Sequence, residues 1–279
     1  MEAVLANEVP VRIACFTGLL VLLAILEALF PRRTQTIARP RRWPANLGIA
    51  LVNTIVVRGL FPITAVGAAL AIEARGWGLI NLAAIPDWLG VVVGFLVLDL
   101  TIYGQHVVFH KVPLLWRLHR MHHADLEFDV TTGLRFHPIE VLLSLLIKLA
   151  VIALAGVPAL AVLAFEVALN ATSMFNHANL RLPLVFDRAI RLFVVTPDMH
   201  RVHHSIQSTE TNSNFGFNLS WWDRLFGTYR PEPSAGQEAM TIGIEQFRDP
   251  RELRLDRMLV QPFHGSVGGY PFGRWTGET

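Results

Sequence analysis

Apolar residues in this chain are concentrated in long runs separated by short polar and basic segments. The first run, residues 11–30, is long enough for a helix to span a bilayer core of about 30 Å. A second run covers residues 47–72. A third begins at Trp88 and continues in helical register into His106 and His110. Each of these three runs predicts a membrane-spanning helix.

Two shorter apolar runs follow, residues 141–155 and 160–175, with Gly156 and Pro158 predicting a break between them. A helix over the first would be about 22 Å long, which is marginal for a complete span. Whether this hairpin crosses the membrane or only enters it, the chain returns to the side it left. His177 and the later histidines are therefore expected on the same side as the earlier ones.

The composition agrees with an integral membrane protein. Hydrophobic residues make up 52% of the 279 residues and charged residues only 16%, whereas soluble domains carry about 25% charged residues. The net charge of +2 is small, and the arginines cluster in a few loops, so a nucleic-acid-binding face is not indicated. Cys15 is the only cysteine, which excludes disulfides, cysteine zinc sites and iron–sulfur clusters within the chain.

Charge also predicts orientation, because loops rich in Lys and Arg stay on the cytoplasmic side. Residues 31–42 hold five arginines, which places this loop and the histidines inside and the N-terminus outside. The first run lacks a small-residue cleavage site and is interpreted as a retained helix. The predicted fold is all-α, a polytopic membrane bundle of about four to five membrane helices with a cytoplasmic histidine-rich helical cap. The arginines in the loop are Arg32, Arg33, Arg39, Arg41 and Arg42.

Eight of the eleven histidines form three clusters. Residues three or four apart share a helix face, so each cluster directs its imidazoles toward one point. Imidazole is the commonest protein ligand for iron, zinc, copper and nickel. Eight or more converging imidazoles suggest two metal ions, and two identical triplets on one side are hard to explain as a chance interfacial cluster. The clusters are His106 and His110; His119, His122 and His123; and His200, His203 and His204.

Several residues near the clusters are candidates for holding the ligands in place. Asp99 and Tyr103 fall on the same helical stripe as His106 and His110, and an aspartate in an apolar run is costly. We expect Asp99 and Tyr103 to orient a ligand imidazole. The alternative is that Asp99 pairs with Arg58.

Three histidines lie outside the clusters. His137 opens a helix before Pro138, where Glu140 could orient it or cap the helix. For His137 and His177, spacing alone leaves metal ligation and an ordinary interfacial histidine equally open. His264 lies in a Pro- and Gly-rich segment and is expected to have no role.

Together, these motifs and the segments between them resemble the fatty acid hydroxylase / sterol desaturase superfamily over about residues 98–229. The motifs occur in the family's order and are highly specific as a group. Besides the three clusters, the matching stretches are Asp99-Leu-Thr-Ile-Tyr103, Leu115-Trp116, Arg135-Phe-His137-Pro-Ile-Glu140, Asn176-His177-Ala-Asn179, Thr196-Pro-Asp-Met-His200, Asn214-Phe-Gly216 and Trp222-Asp223-Arg-Leu-Phe-Gly227-Thr-Tyr229.

The resemblance implies a membrane di-iron oxygenase that uses O2 to hydroxylate or desaturate an unactivated C–H position of a sterol-like or fatty acyl lipid. It implies no catalytic residues beyond the metal ligands, and Gly104 and Phe109 are less usual neighbours of the first cluster. It divides the chain into an N-terminal transmembrane hairpin with the arginine-rich loop (1–87), a catalytic domain (88–230) and a C-terminal cytoplasmic tail (231–279). The implied iron ligands are His106, His110, His119, His122, His123, His137, His177, His200, His203 and His204, supported by Asp99, Tyr103, Glu140, Asn179, Asp198 and Asn214.

Electrons are expected from a separate reductase, ferredoxin or cytochrome. The chain has no G-x-G-x-x-G dinucleotide fingerprint and no cysteine set for a cluster. Basic residues around the histidines could dock an acidic electron carrier or, more simply, contact anionic lipid headgroups. These residues are Lys111, Arg117, Arg120 and Arg201.

Two other functions remain as alternatives. A membrane zinc-dependent lipid hydrolase would need a general base, for which Glu140, Glu166 and Asp198 are candidates, but hydrolytic zinc sites use fewer histidines. A non-enzymatic metal-binding protein, such as a carrier, would need ionisable residues spaced through several spans. Here the histidines gather at one face, and the spans hold only isolated charges such as Arg58, Lys148 and Glu166.

Overall fold

The computed structural model describes residues 5, 7–83 and 85–272. Five of its segments are long and apolar enough to cross a membrane, as judged by length and composition. This confirms the all-α, polytopic fold class. The long helices are α1 (Glu8–Leu29), α2 (Arg39–Leu60), α3 (Ala65–Glu73), α5 (Asp87–Lys111), α7 (Pro138–Ala155) and α8 (Ala159–Asn176), with α2 and α3 together forming one of the five segments, and the short helix α4 (Leu79–Leu82) preceding α5.

The predicted second run differs in detail from the helices observed. Helix α2 begins at Arg39, eight residues before the predicted start at residue 47, because Pro40 occupies its first turn, where a missing N–H costs nothing. It ends at Leu60, since Pro62 favours an extended conformation at Phe61. The side chain of Thr64 then accepts a hydrogen bond from the backbone N–H of Gly67 and caps α3.

The α7–α8 hairpin follows the prediction more closely. Helix α7 ends at Ala155, and Gly156 adopts a left-handed conformation (φ +68°) that suits glycine. Helix α8 begins directly after Pro158. Each helix contains 18 residues, or about 27 Å, so the first is longer than the apolar run alone suggests.

Helices α5 and α8 form the centre of the bundle. They pack against each other, while α1 packs on α8, and α3 packs on α7 and α8. The core between them includes Leu98, Val162 and Phe165, all buried. At Gly94, a Cβ atom would lie 2.9 Å from Val157, so the close approach of α5 to the α7–α8 turn requires glycine.

Short helices and loops form a cap over one end of this bundle. The histidine clusters lie at the end of α5, on α6 and on α10, all within this cap or at its border. The short helices are α6 (Pro113–His123), α9 (Leu184–Ile190), α10 (Pro197–His203), α11 (Ser208–Thr211), α12 (Trp221–Leu225), α13 (Gly236–Ala239) and α14 (Leu255–Val260), together with 3-10 turns at Thr132–Leu134, Pro250–Leu253 and Gln261–Phe263.

The arginine-rich segment is bonded into this cap. Arg42 is fully buried and donates to Asp125 at 2.6 and 2.8 Å and to Asp129 at 2.5 Å. Burial alone would raise the pKa of Asp125, but the adjacent Arg42 charge holds this pKa far below its ordinary value. Buried charges of this kind persist only when they are paired. The N-terminal hairpin is therefore joined to the segment that carries the histidines.

Candidate metal centre

Nine of the ten predicted histidine ligands converge in the cap, and all nine are buried. They form two groups whose candidate ligand nitrogens lie within 4.8 Å of one another inside each group. The five-histidine group contains His106, His110, His119, His123 and His203, and the four-histidine group contains His122, His177, His200 and His204.

Hydrogen bonds orient most of the five-histidine group. The Nδ1 atoms of His106 and His203 donate to the carbonyls of Phe215 and Ser213, both at 2.7 Å. His119 Nδ1 donates to the Glu140 carboxylate at 2.7 Å. With Nδ1 donating, each imidazole keeps a lone pair on Nε2, the nitrogen that faces the group.

The fourth member, His110, is oriented by a residue that the motifs did not single out. Its Nδ1 donates to Asn212 Oδ1 at 3.1 Å, and Asn212 Nδ2 in turn donates to the carbonyl of Tyr270 at 2.7 Å. An asparagine outside any histidine motif gives no local signal of this role. Backbone carbonyls such as those of Phe215 and Ser213 give none either.

The four-histidine group is centred on His177. The Nε2 atom of His177 lies 3.1 Å from Nε2 of each of His122, His200 and His204. Gly133 makes this position possible, because a Cβ there would lie 2.4 Å from the carbonyl oxygen of Ser173 and 3.2 Å from His177 Nδ1. That same Ser173 carbonyl accepts from His177 Nδ1 at 2.7 Å.

The nitrogens of both groups fit a metal ion better than they fit one another. Burial holds the pKa values of His122, His200 and His204 well below their ordinary value and lowers that of His177 to about 3, so these imidazoles are neutral. Neutral imidazoles have one N–H each and cannot satisfy four converging nitrogens.

The spacing of the nitrogens supports the same conclusion. Two nitrogens bound at about 2.1 Å to one ion and at right angles lie about 3.0 Å apart, close to the separations around His177. In the five-histidine group, Nε2 of His110 and of His203 is buried without a hydrogen-bond partner among the described residues. Such atoms are available as ligands.

His137 lies apart from both groups. Its Nδ1 accepts a hydrogen bond from the backbone N–H of Ile139 at 3.2 Å, which caps α7, and its Nε2 donates to the carbonyl of Leu259 at 3.2 Å. Both nitrogens therefore have partners. Glu140 was predicted either to orient His137 or to cap the helix. Its carboxylate accepts a hydrogen bond from His119 instead.

The predicted stripe on α5 is one buried face, but its polar members have other partners. Asp99 accepts from Asn218 Nδ2 and Trp222 Nε1, both at 2.8 Å, and Tyr103 bonds Thr228 at 2.9 Å. These two residues therefore hold the segment 218–228 in place and do not bond an imidazole. Arg58, the alternative partner of Asp99, is exposed.

Asp223 holds the neighbouring loop. It accepts hydrogen bonds from the backbone N–H groups of Phe215 at 2.7 Å and Gly216 at 2.9 Å, and burial raises its pKa to about 6. This loop presents the Phe215 carbonyl to His106. Asp223 belongs to a motif that carried the resemblance, although spacing did not reveal its role.

The other predicted supporting residues bond the backbone or the arginines near the histidines and not the imidazoles themselves. Asn179 exchanges hydrogen bonds with the backbone of Arg33 at 2.8 and 3.0 Å, and Asp198 binds Arg32 and Arg201. Asn214 donates to the carbonyl of Met199, one residue before His200, at 2.8 Å. They fix the backbone that carries the ligands.

The described part of the C-terminal segment covers the five-histidine group. Tyr270 is buried and stacks on Trp116 at 5.4 Å, and Trp116 contacts the rings of His110 and His123 at 4.8 and 5.3 Å. This segment also accepts hydrogen bonds from Arg120, through the carbonyls of Gln261, His264 and Ser266.

Two of the four basic residues predicted to dock a carrier or bind headgroups are therefore internal. Arg120 and Arg201 are fully buried and bonded within the chain. Lys111 is exposed and Arg117 half-buried. Sequence alone does not distinguish an arginine on a helix surface from one that holds a returning loop.

A cavity of about 550 Å³ leads from the histidines into the membrane-facing bundle. His106 and His119 line one end, with Phe109 and Phe136 beside them. Its walls come from α1, α2, α5, α7 and α8, and exposed residues on three of these helices, Ile13, Thr54 and Asn170, are among those that line it. This arrangement is typical of a site that admits a lipid laterally.

Comparison with known proteins agrees with this geometry. Residues 91–228 match the model of the fatty acid hydroxylase family. The chain is 31% identical over 153 residues to ornithine lipid hydroxylase OlsE of Rhizobium tropici, covering 54% of this chain and 45% of that protein. It is 29% identical over 167 residues to alkylglycerol monooxygenase of Xenopus tropicalis, covering 60% and 36%.

A third relative is cholesterol 25-hydroxylase of Rattus norvegicus, 27% identical over 164 residues, covering 58% of this chain and 53% of that protein. The chain therefore spans between about a third and about half of the length of these relatives. No solved structure shows a significant match to it.

Proposed function

Because this chain belongs to the fatty acid hydroxylase family, we propose that it is a membrane-bound di-iron oxygenase that oxidises an unactivated C–H position of a lipid with O2 and external electrons. The names of the relatives, hydroxylases and a monooxygenase, favour hydroxylation. Desaturation shares the first hydrogen abstraction and is the second possible outcome. The catalytic region we propose is 88–230, flanked by the segments 1–87 and 231–279.

The observation that carries this proposal is the position of nine buried histidines, in two adjoining groups, at one end of an apolar cavity. Two iron ions, one held by each group, would activate dioxygen. The chain itself contributes nine buried imidazoles, most of them oriented by hydrogen bonds or ring packing. Since His106 and His119 line the cavity, the five-histidine group is the one that faces the substrate.

The cavity also suits a lipid better than a soluble substrate. Most of its lining side chains are apolar, and its exposed lining residues on α1, α2 and α8 face the hydrocarbon region if the five segments cross the membrane. We propose that the histidine end lies on the cytoplasmic side, with the N-terminus outside. A separate reductase, ferredoxin or cytochrome would supply electrons there, next to Lys111 and Arg117.

Neither alternative is favoured by a specific contact. Of the three candidate general bases for a hydrolase, Asp198 and Glu166 are bound by cations, and Glu140 orients His119. Catalytic zinc sites use three protein ligands, far fewer than nine. A metal carrier would need a path of ionisable groups through the bundle, whereas Lys148 and Glu166 pair with each other at 2.7 Å and are not isolated charges.

Comparative lipid mass spectrometry of the source cell tests the proposal. Deleting the gene should replace one lipid by a form with one oxygen fewer, or with two hydrogens more if the reaction is desaturation. Wild-type and His264→Ala genes should restore the product, while His203→Ala should not. An unchanged lipid profile under aerobic growth would overturn the oxygenase, and metal analysis of the purified protein would then separate the hydrolase from the carrier.

A further inference from the structure

The end of the cavity away from the histidines carries a compact group of charged side chains, which we name the polar cluster: Arg12, Lys148 and Glu166. Glu166 accepts from Arg12 Nη2 and from Lys148 Nζ, each at 2.7 Å. Arg12 also lies 3.2 Å from Glu8. All three cluster residues line the cavity. Charged groups among membrane-spanning helices are costly and by default indicate a function.

The distance from the polar cluster to the histidines follows from two helices. On α7, Glu140 bonds His119, and Lys148 lies eight residues further, a rise of about 12 Å. On α8, the Ser173 carbonyl bonds His177, and Glu166 lies seven residues before it, about 10 Å away. Along both helix axes the cluster therefore lies about 10–12 Å beyond the residues that bond His119 and His177, towards the opposite end of the same cavity.

The charges of this region indicate which ligand it would accept. Arg12 and Lys148 are balanced by Glu166 and Glu8, and each charge already has an opposite partner. A ligand with a net charge would add an uncompensated charge in a region of low dielectric constant. A hydroxyl, amide or zwitterionic group can instead exchange hydrogen bonds with these side chains and with Ser144 and Asn170, which line the cavity beside them.

We propose that the polar cluster binds the uncharged or zwitterionic polar group of the lipid substrate. A lipid held there by its polar group presents to His106 and His119 a carbon further along its chain, so the cluster determines which position is oxidised. The consequence for oxidation rests on the proposed function. Binding itself can be measured without metal or turnover.

Cys15 provides the measurement. It is the only cysteine, it is exposed, and it lines the cavity three residues from Arg12, so a bound lipid should shield it. The full chain in detergent is labelled with N-ethylmaleimide in the presence of a long-chain monoalkylglycerol, or of the alkane or free fatty acid of equal chain length. The monoalkylglycerol should slow labelling about tenfold more than the alkane, as expected for one or two hydrogen bonds. The fatty acid should resemble the alkane.

The double variant Lys148→Met/Glu166→Gln removes one cation and one carboxylate together and leaves Arg12 paired with Glu8. In the double variant the monoalkylglycerol should lose most of its tenfold advantage over the alkane in protecting Cys15, because two of the three charged partners are gone. Ser144→Leu narrows the cavity between Glu140 and Lys148 and should weaken protection by every probe, which would confirm that protection reports binding inside the cavity. The comparison of the three probes in the wild-type protein keeps the test informative if the double variant does not fold.

Three results would overturn the proposal. If the double variant keeps the full preference for the monoalkylglycerol, or if wild type shows no preference, the cluster only joins α1, α7 and α8. If the free fatty acid protects best, the site binds anions. Iron content is measured in parallel in each variant. Wild-type protein that prefers the monoalkylglycerol but binds no iron would count against the proposed function alone.

Discussion

The two histidine groups are held in place by different forces. In the five-histidine group, four imidazoles donate a hydrogen bond from Nδ1, to Glu140, Asn212 and the carbonyls of Ser213 and Phe215. In the four-histidine group only His177 does so, and Nδ1 of each other member has no partner among the described residues. Hydrogen bonds fix the first group, whereas packing fixes most of the second.

Aromatic rings supply that packing. Phe136 stacks on His122 with ring centroids 4.5 Å apart and planes 13° apart, and Phe128 contacts His177 and His204 at 5.4 and 5.1 Å. Ring packing restricts the position of an imidazole. It resists rotation of the ring within its own plane less than a hydrogen bond from Nδ1 does. The group nearer the cavity is thus the more rigidly oriented one, as expected if it meets the substrate.

Removing one ligand from each group tests this comparison most strongly. If each group holds one ion, as proposed, His203→Ala and His204→Ala should each abolish turnover and each lose about half of the bound iron. Iron is measured by mass spectrometry of the purified protein, with membrane insertion as the control for folding. Complete loss of iron from either variant would show that neither group binds iron without the other.

A smaller effect is expected from residues that position the ligands. Glu140→Gln keeps an acceptor for His119, whereas Glu140→Ala removes it and should lower iron affinity or turnover about 10- to 100-fold. Phe136→Leu, the matched change beside His122, should lower iron affinity less, because it removes packing and no hydrogen bond. Only iron affinity is compared, since Phe136 also lines the cavity. An equal loss for Phe136→Leu and Glu140→Ala would contradict the distinction between the groups.

Stability of the iron-free protein should fall in acid. The pKa of His177 is lowered by burial to about 3 from an ordinary value of 6.5, so below pH 6.5 the unfolded chain takes up protons that the folded chain cannot. The stabilising contribution is present above pH 6.5 and is lost as the pH falls, by about 1.4 kcal/mol per histidine per pH unit. His122, His200 and His204 shift in the same direction.

Thermal unfolding between pH 7.5 and 5.5 checks this dependence, with the iron-loaded protein as the comparison. Bound iron competes with protons for the same nitrogens and should flatten the curve. A melting temperature of the iron-free protein that does not change over this range would show that the buried imidazoles accept protons readily.

The smallest effect concerns His137. His137→Ala should leave iron content unchanged and cost about 1 kcal/mol of stability through the lost helix cap. His137→Asn, which can cap the same helix, should recover that stability, and His264→Ala should change neither quantity. Loss of iron in His137→Asn would restore this residue to the ligands that the resemblance implies.

The sequence predicted the helices of the bundle and the convergence of the clusters because both depend on local periodicity. Helix α5 carries its apolar run directly into His106 and His110, as the register required. The partners of Asp99 and Arg42 were not predictable, since each lies about 80 to 120 residues away along the chain. Spacing within one helix shows which residues share a face, but it does not show what packs on that face.

The stacking of Tyr270 on Trp116 has a consequence for the order of events during synthesis. The ribosome completes all nine histidines by His204, whereas the layer that covers His110 and holds Asn212 is made more than fifty residues later. Throughout that interval the five-histidine group lacks its outer wall. A metal ion held by this group, as proposed, would therefore have access from the cap side until Tyr270 docks.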